Sequence, residues 1–414
     1  MNKSAKAMID KAHELDPKDP DIQIFWIETL GRPERIKYLE NYLAEPNAHD
    51  ADYRDNLGNY LSYLKERAKQ PGHPCQLVSK VTATQTPLVR LHHDPTDLAG
   101  YGLSVALNGS KTNLLLDTGA SGILVNRRAA ERAGVRKMTE TKIWGIGDQG
   151  PKTAFIGIAD SIRIGELEFQ NCPVRVSESR SVAHGDGLIG ADVFENFLVE
   201  VNFPGEQLKL SELPKRPGQA NEQLVLMNEE DETDDPEEAT TETDANRKGQ
   251  TKNLSSATAV SGPQDRYIAP EMQSFSRVYR FGSHLLVPTR VGEAPLKLFM
   301  LDTGAFTNVI SPAAAREVTK VHGDPDTPVM GISGSVKHVY SANKAVLQFG
   351  HLRQETQDMV SFDMTSTSDS EGVEVSGFLG FVTLRLLVLK IDYRDGLVDF
   401  DYDPKRFDHF YPRD

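Results

Sequence analysis

The chain has 414 residues, 38% of them hydrophobic, which is enough for two or three domains that each bury a core. No apolar run approaches the ~18 residues that a membrane-spanning helix needs. A net charge of −14 disfavours nucleic acid and anionic membrane as partners, because phosphate repels a net-acidic surface.

The first residues, MNKSAKAMIDKAHELDPKDPD, are polar with a helical pattern and lack the apolar centre of a secretory signal. The expectation from this stretch is a cytoplasmic protein, or a periplasmic or secreted one if a natural signal peptide lies outside it. Residues 1–72 read as helical: Leu-Asp-Pro and Asp-Pro breaks separate IQIFWIETL and RIKYLENYLA, whose apolar residues recur at three- and four-residue spacing. AHELDPKDPD resembles the junction of two tetratricopeptide-type repeats, which implies a cap or a docking module for a protein partner.

From residue 77 the pattern becomes β. Leu103, Val105 and Leu107 alternate up to Asn108-Gly109, a tight-hairpin signal, and the chain returns through Leu114, Leu115 and Leu116 into Asp117. Asp117 therefore ends a buried strand. Cys75 and Cys172 are the only cysteines, which excludes a disulfide framework and offers no metal-ligand spacing. They read either as two small buried hydrophobes or, in an exported protein, as one bridge.

Residues 214–265 hold one short apolar island and then acidic, Thr-rich and Ser-rich sequence that cannot bury enough apolar area to order itself. The expectation is a disordered acidic linker, exposed to proteolysis, between folded halves at 77–213 and 266–414.

Those halves repeat each other. LLLDTGASGILV (114–125) aligns with FMLDTGAFTNVI (299–310) at an offset of 185 residues. A short helix follows each: Arg127 to Ala133 ended by Gly134, and a second capped by Ser311 with Pro312 in its first turn. Next come glycine-bearing hairpins, Ile143-Trp144-Gly145-Ile146-Gly147 and Val329-Met330-Gly331-Ile332-Ser333-Gly334. IRIG (162–165) matches LQFG (347–350), Leu188-Ile189-Gly190 matches Phe378-Leu379-Gly380, and strand pairs at 199–210 and 389–400 close each half. The second half carries about five extra residues, in the loop containing SFDMTSTSDSEG.

These residues resemble the retropepsin-like aspartic peptidases, in particular bacterial proteins with two such domains in one chain. The resemblance covers roughly 77–213 and 266–402. It implies a mainly β fold: two retropepsin- or pepsin-like β-barrel lobes related by pseudo-twofold symmetry, after a small helical segment. It also implies that Asp117 and Asp302 form the catalytic pair, supported by Thr118, Gly119, Thr303 and Gly304. Trp144, Gly145, Gly147, Gly331 and Gly334 would lie in the flaps.

Two carboxylates at hydrogen-bond distance do not both ionise cheaply and so share a proton, which provides a general acid and a general base together. Such chemistry needs neither cofactor nor metal, and its substrate is a polypeptide. The expected activity is endopeptidase; the alternative is a peptide-binding or scaffolding protein that does not cut. Neither Gly-x-Ser-x-Gly nor His-Glu-x-x-His occurs. About 50 linker residues span roughly 40 Å, so the lobes are expected to pair within a monomer. Ala120 and Ala305 carry no hydroxyl to bond the outer carboxylate oxygens, which predicts an optimum at mildly acidic to near-neutral pH. Phe306 stands where the first half has Ser121. His184, His322 and His338 read as solvated loop residues, and so do Asp186 and Asp192, which flank Leu188-Ile189-Gly190.

Overall fold

Local signals in the sequence set the elements. The computed structural model describes residues 3–45, 51–69, 75–94, 97–179, 182, 185–217, 226 and 265–407. The linker expected over 214–265 therefore falls mostly outside the described residues, as does His184. Leu226, from its apolar island, is described: it is buried, and its N–H donates to the Cys75 carbonyl (3.0 Å).

The chain divides into two units. The first holds four helices, α1 (Lys3–Leu15), α2 (Pro20–Glu28), α3 (Arg32–Ala44) and α4 (Ala51–Ala68). Asp19 caps α2 by accepting the N–H groups of Asp21 and Ile22, with Pro20 in the first turn, where its missing donor costs nothing. The fully buried Arg35 is satisfied by the carbonyls of Glu28 and Leu30 and by the Tyr60 hydroxyl (2.9 Å).

The second unit is mainly β. Its first half comprises β1 (Gln76–Leu77), β2 (Thr84–Asp94), β3 (Asp97–Leu107), β4 (Ser110–Asp117), β5 (Ile123–Asn126), α5 (Arg127–Ala133), β6 (Arg136–Ile143), β7 (Lys152–Ile164), β8 (Leu167–Ser177), β9 (Gly187–Gly190), β10 (Phe197–Asn202) and β11 (Gln207–Glu212). Its second half comprises β12 (Ser276–Arg277), β13 (Tyr279–Phe281), β14 (His284–Val291), β15 (Leu296–Leu301), β16 (Val309–Ile310), α6 (Pro312–Arg316), β17 (Val321–Gly323), β18 (Met330–Gly331), β19 (Gly334–Ser335), β20 (Tyr340–Phe349), β21 (Leu352–Ser361), α7 (Thr365–Glu371), β22 (Gly377–Leu379), α8 (Phe381–Leu384), β23 (Val388–Asp392) and β24 (Leu397–Asp401).

The halves share one strand order. In the first, β3-β4-β9-β5-β8-β7-β6 are neighbours; in the second, β14-β15-β22-β16-β21-β20-β17. Even the closing contact is repeated, β3 with β7 and β14 with β20. Between the lobes runs a shared sheet, β12-β24-β23-β10-β11-β2, whose central pair aligns Val199 with Ile391 and Val201 with Leu389. A single apolar core extends through both lobes, from Leu103, Phe169 and Phe197 to Phe299, Leu389 and Phe400. Cys75 and Cys172 form a disulfide that ties the entry of the first lobe to β8, which settles the alternatives left open by the sequence.

Candidate active site

The apolar runs Leu114–Leu116 and Phe299–Leu301 end β4 and β15, and each passes directly into Asp-Thr-Gly. Each strand is held from one side by the apolar-apolar-Gly strand of its own lobe: Asp117 lies across from Gly190, and the Asp302 N–H donates to the Leu379 carbonyl (3.0 Å). The aspartates thus stand on the rigid ends of buried strands.

The two loops meet face to face. The Thr118 hydroxyl donates to the Leu301 carbonyl (2.7 Å) and accepts the Thr303 N–H (2.9 Å). The Thr303 hydroxyl reciprocates, donating to the Leu116 carbonyl (2.8 Å) and accepting the Thr118 N–H (3.0 Å). All four bonds are buried. A Cβ on Gly119 would sit 2.5 Å from Asp302 Cγ, and one on Gly304 would overlap the Asp117 carboxyl. Only glycine lets each loop approach the opposite acid this closely.

Electrostatics separate the two acids. Burial pushes Asp117 well above the ordinary carboxylate range and the charge of Asp302 adds to it, opposed by a single N–H, that of Gly119 (2.9 Å). Burial raises Asp302 as well, but the N–H groups of Ala305 and Gly304 (both 2.9 Å) pull the other way. Two backbone N–H donors on Asp302 against one on Asp117 favour placing the pair's charge on Asp302. On Asp302 both backbone donors, Gly304 and Ala305, go to the same oxygen, Oδ1.

The glycine-bearing hairpins touch. Gly145 N–H donates to Ser333 Oγ (3.2 Å), Ser333 N–H to the Ile146 carbonyl (3.0 Å), and Gln149 N–H to the Ser333 carbonyl (2.8 Å). The Asp148 carboxylate accepts the Lys337 N–H (2.8 Å). Gly147 and Gly334 are the points of close backbone approach, and Gly331 packs on Ile146. Ile332 covers an apolar cluster of the first lobe that includes Leu115 and Ala120, while Ile146 covers one of the second lobe that includes Met300 and Ala305. Each tip thus packs on the same apolar cluster as the residue that follows the opposite lobe's Asp-Thr-Gly. Trp144 (46% exposed) and Phe306 (47% exposed) leave aromatic surface open near these loops.

Several residues escaped the sequence reading. Asp192 is not a solvated loop acid: its carboxylate accepts the Gly122 N–H (3.0 and 3.1 Å), and burial pushes it up to about 6. Asp186 likewise is engaged, with Arg132 (3.1 Å) and the Asn113 N–H (3.1 Å). Both acids flank a strand that the chain crosses back over, so they find donors that linear order hides. Arg280 on β13 reaches across to Glu195 of the first lobe (2.5 Å). His284 on β14 pairs with Glu371 of α7 (2.7 Å). His322 and His338 are exposed. Among the described residues no cluster of His, Cys, Asp and Glu suits a metal ion.

A family model described as aspartyl protease matches residues 103–193, from within β3 to the turn after β9, and so includes Asp117, Thr118 and Gly119. No curated protein matches the sequence. A solved structure similar to this chain is the aspartic proteinase from Irpex lacteus, with a TM-score of 0.43 and 12% identity over 78% of this chain and 97% of that one.

Proposed function

We propose that the chain is an aspartic endopeptidase whose catalytic dyad is Asp117 and Asp302. The observation that carries this reading is the reciprocal pair of Asp-Thr-Gly loops, joined by four buried hydrogen bonds, with each glycine against the opposite carboxyl. In the reaction, ionised Asp302 takes a proton from water while the oxygen attacks the scissile carbonyl carbon, and protonated Asp117 donates to the carbonyl oxygen. The tetrahedral diol then collapses: Asp302 gives its proton to the amine nitrogen as the C–N bond breaks, and Asp117 takes back a hydroxyl proton as the carbonyl re-forms. No covalent enzyme intermediate forms. The paired hairpins provide backbone donors and acceptors for an extended peptide once they part, and strand addition of this kind recognises polypeptide largely independently of sequence. The Cys75–Cys172 bridge supports an oxidising compartment, periplasmic or extracellular.

The test is digestion of a denatured protein by the full chain, with and without a statine-type transition-state analogue. Asp117→Asn and Asp302→Asn should each lower kcat/KM by at least ~10²–10⁴-fold with an unchanged circular dichroism spectrum, since each removes one partner of a shared proton. Mixing the two variants should restore nothing, because both halves of one site lie in one chain. Substantial activity in either variant, or in the mixture, refutes this assignment.

A further inference from the structure

The two aspartates have different neighbours across their strands. In the first lobe β3 pairs antiparallel with β4, and the register Gly102 to Leu115, carried two residues on, sets Gly100 across from Asp117. In the second lobe β14 pairs with β15, and the register Leu286 to Met300, carried on equally, sets His284 across from Asp302. Residues directly opposite in an antiparallel pair present their side chains to one face. Continued in this register, Asp117 stands opposite a glycine, where an added Cβ would meet Leu115 Cδ1 at 2.7 Å, and Asp302, just past the end of β15, stands opposite a histidine.

That imidazole is anchored. His284 Nδ1 lies 2.7 Å from Glu371 Oε1, and the two side chains are only 21% and 8% exposed. Glu371 is the last residue of α7, which is built from the stretch by which the second half exceeds the first. The insertion thus supplies a carboxylate that the first lobe lacks. The charged groups that act on His284 are acidic: Glu371 from α7, Asp302 from the loop after β15, and Asp192 from the turn after β9. Asp117 senses the imidazole too. The basic residue on the adjoining strand β13, Arg280, is engaged with Glu195. Burial alone would lower His284, but the bond to Glu371 and the surrounding acids outweigh it and hold the ring above its ordinary value.

We propose that His284, held by Glu371, is a positioning residue that keeps Asp302 the ionised member of the pair and leaves the proton on Asp117. This rests on the aspartic-peptidase reading. A cation opposite Asp302 favours its ionised form most and that of Asp117 less, which fixes the direction in which the dyad is polarised before substrate arrives.

The test is a carbon-detected NMR titration of the dyad carboxyls in the full chain, with a pH profile of kcat/KM beside it. The wild type should show two well-separated carboxyl titrations. His284→Gln should move both upward, the first by about 1 pH unit, as expected for a charge one strand away. At pH values on the acidic limb kcat/KM should then fall about tenfold. Glu371→Gln, which leaves the ring in place, should shift them the same way by less. His284→Arg, permanently charged, should keep the wild-type positions. If the wild-type aspartates titrate independently in the ordinary carboxylate range, the dyad reading itself fails. If they titrate as a separated pair that neither His284→Gln nor Glu371→Gln moves, only this inference fails. A shift in His284→Arg equal to that in His284→Gln overturns it as well, because shape rather than charge would be the cause.

Discussion

Thr303→Val isolates the bonds that join the two loops. Valine keeps the β-branched shape and its rotamer preference, so packing is nearly unchanged while the hydroxyl disappears. Thr303 is 3% exposed and Thr118 1%, so water does not replace the lost partners. The substitution strands the Thr118 N–H and one acceptor site on the Leu116 carbonyl, two groups from the other lobe. An unsatisfied buried polar group costs about 1–3 kcal/mol, and the carbonyl retains its second lone pair, so the expected loss is about 3 kcal/mol. For a body of this size that corresponds to roughly 2–4 °C of Tm per kcal/mol. Urea unfolding should show a lower midpoint at an unchanged slope. Thr118→Val should cost the same, because its bonds are the mirror image. Thr303→Ser, which keeps both bonds, should cost clearly less. Activity should fall further than stability, since the carboxyls sit one residue away. A loss below ~1 kcal/mol in both valine variants would mean that the loops are held by strand packing and not by this lattice.

The Cys75–Cys172 bridge closes a separation of 97 residues, and chain-entropy arguments put a loop of that length at up to ~4.7 kcal/mol. The urea midpoint should therefore drop on reduction or in the Cys75→Ala, Cys172→Ala variant, and an unmoved midpoint sinks the idea. Asp192 has its folded value raised to about 6, above its unfolded one, so it favours the native state while protonated, and that contribution is lost as pH rises from about 4 through about 6. Asp192→Asn should accordingly stabilise by about 1–3 kcal/mol above pH 6 and leave stability at pH 4 nearly unchanged. Denaturation series at the two values check it, and destabilisation at high pH would show that the carboxylate's bond to Gly122 outweighs its burial.

Much of the fold was legible because its signals are local. Asn108 and Gly109 both adopt positive φ (47° and 81°), as a tight hairpin between alternating strands requires. Gly134 ends α5 in the left-handed region, and Ser311 caps α6 by accepting the Ala314 N–H. The aspartates stood out because one motif recurs with matched elements after it. What stayed hidden depends on register between distant segments. His284 and Glu371 are 87 residues apart in sequence, and Arg280 meets Glu195 only across the lobes. The extra residues of the second half read as a loop, because TSTSDSE is a poor helix sequence whose hydroxyls compete for backbone bonds. Tertiary context nonetheless winds it into α7, closed by Gly372 in the left-handed conformation.

The frame around the dyad is nearly symmetric, whereas its surroundings are not. The four interlobe bonds form two pairs that match within 0.1 Å, 3.0 with 2.9 Å and 2.7 with 2.8 Å. Yet Asp302 receives two backbone N–H groups and Asp117 one. The first lobe satisfies the Gly122 N–H with Asp192, while the second has Asn308 accept the Gly380 N–H (2.8 Å). Two copies of one short chain would have to give both acids the same environment, so nothing in the free protein would decide which of them carries the proton. Joining the halves in one chain removes that constraint, because each half can change alone. Here the changes point one way: two backbone donors to Asp302 against one to Asp117, and a histidine rather than a glycine at the matching position of the neighbouring strand, both lower the cost of charge on Asp302 relative to Asp117.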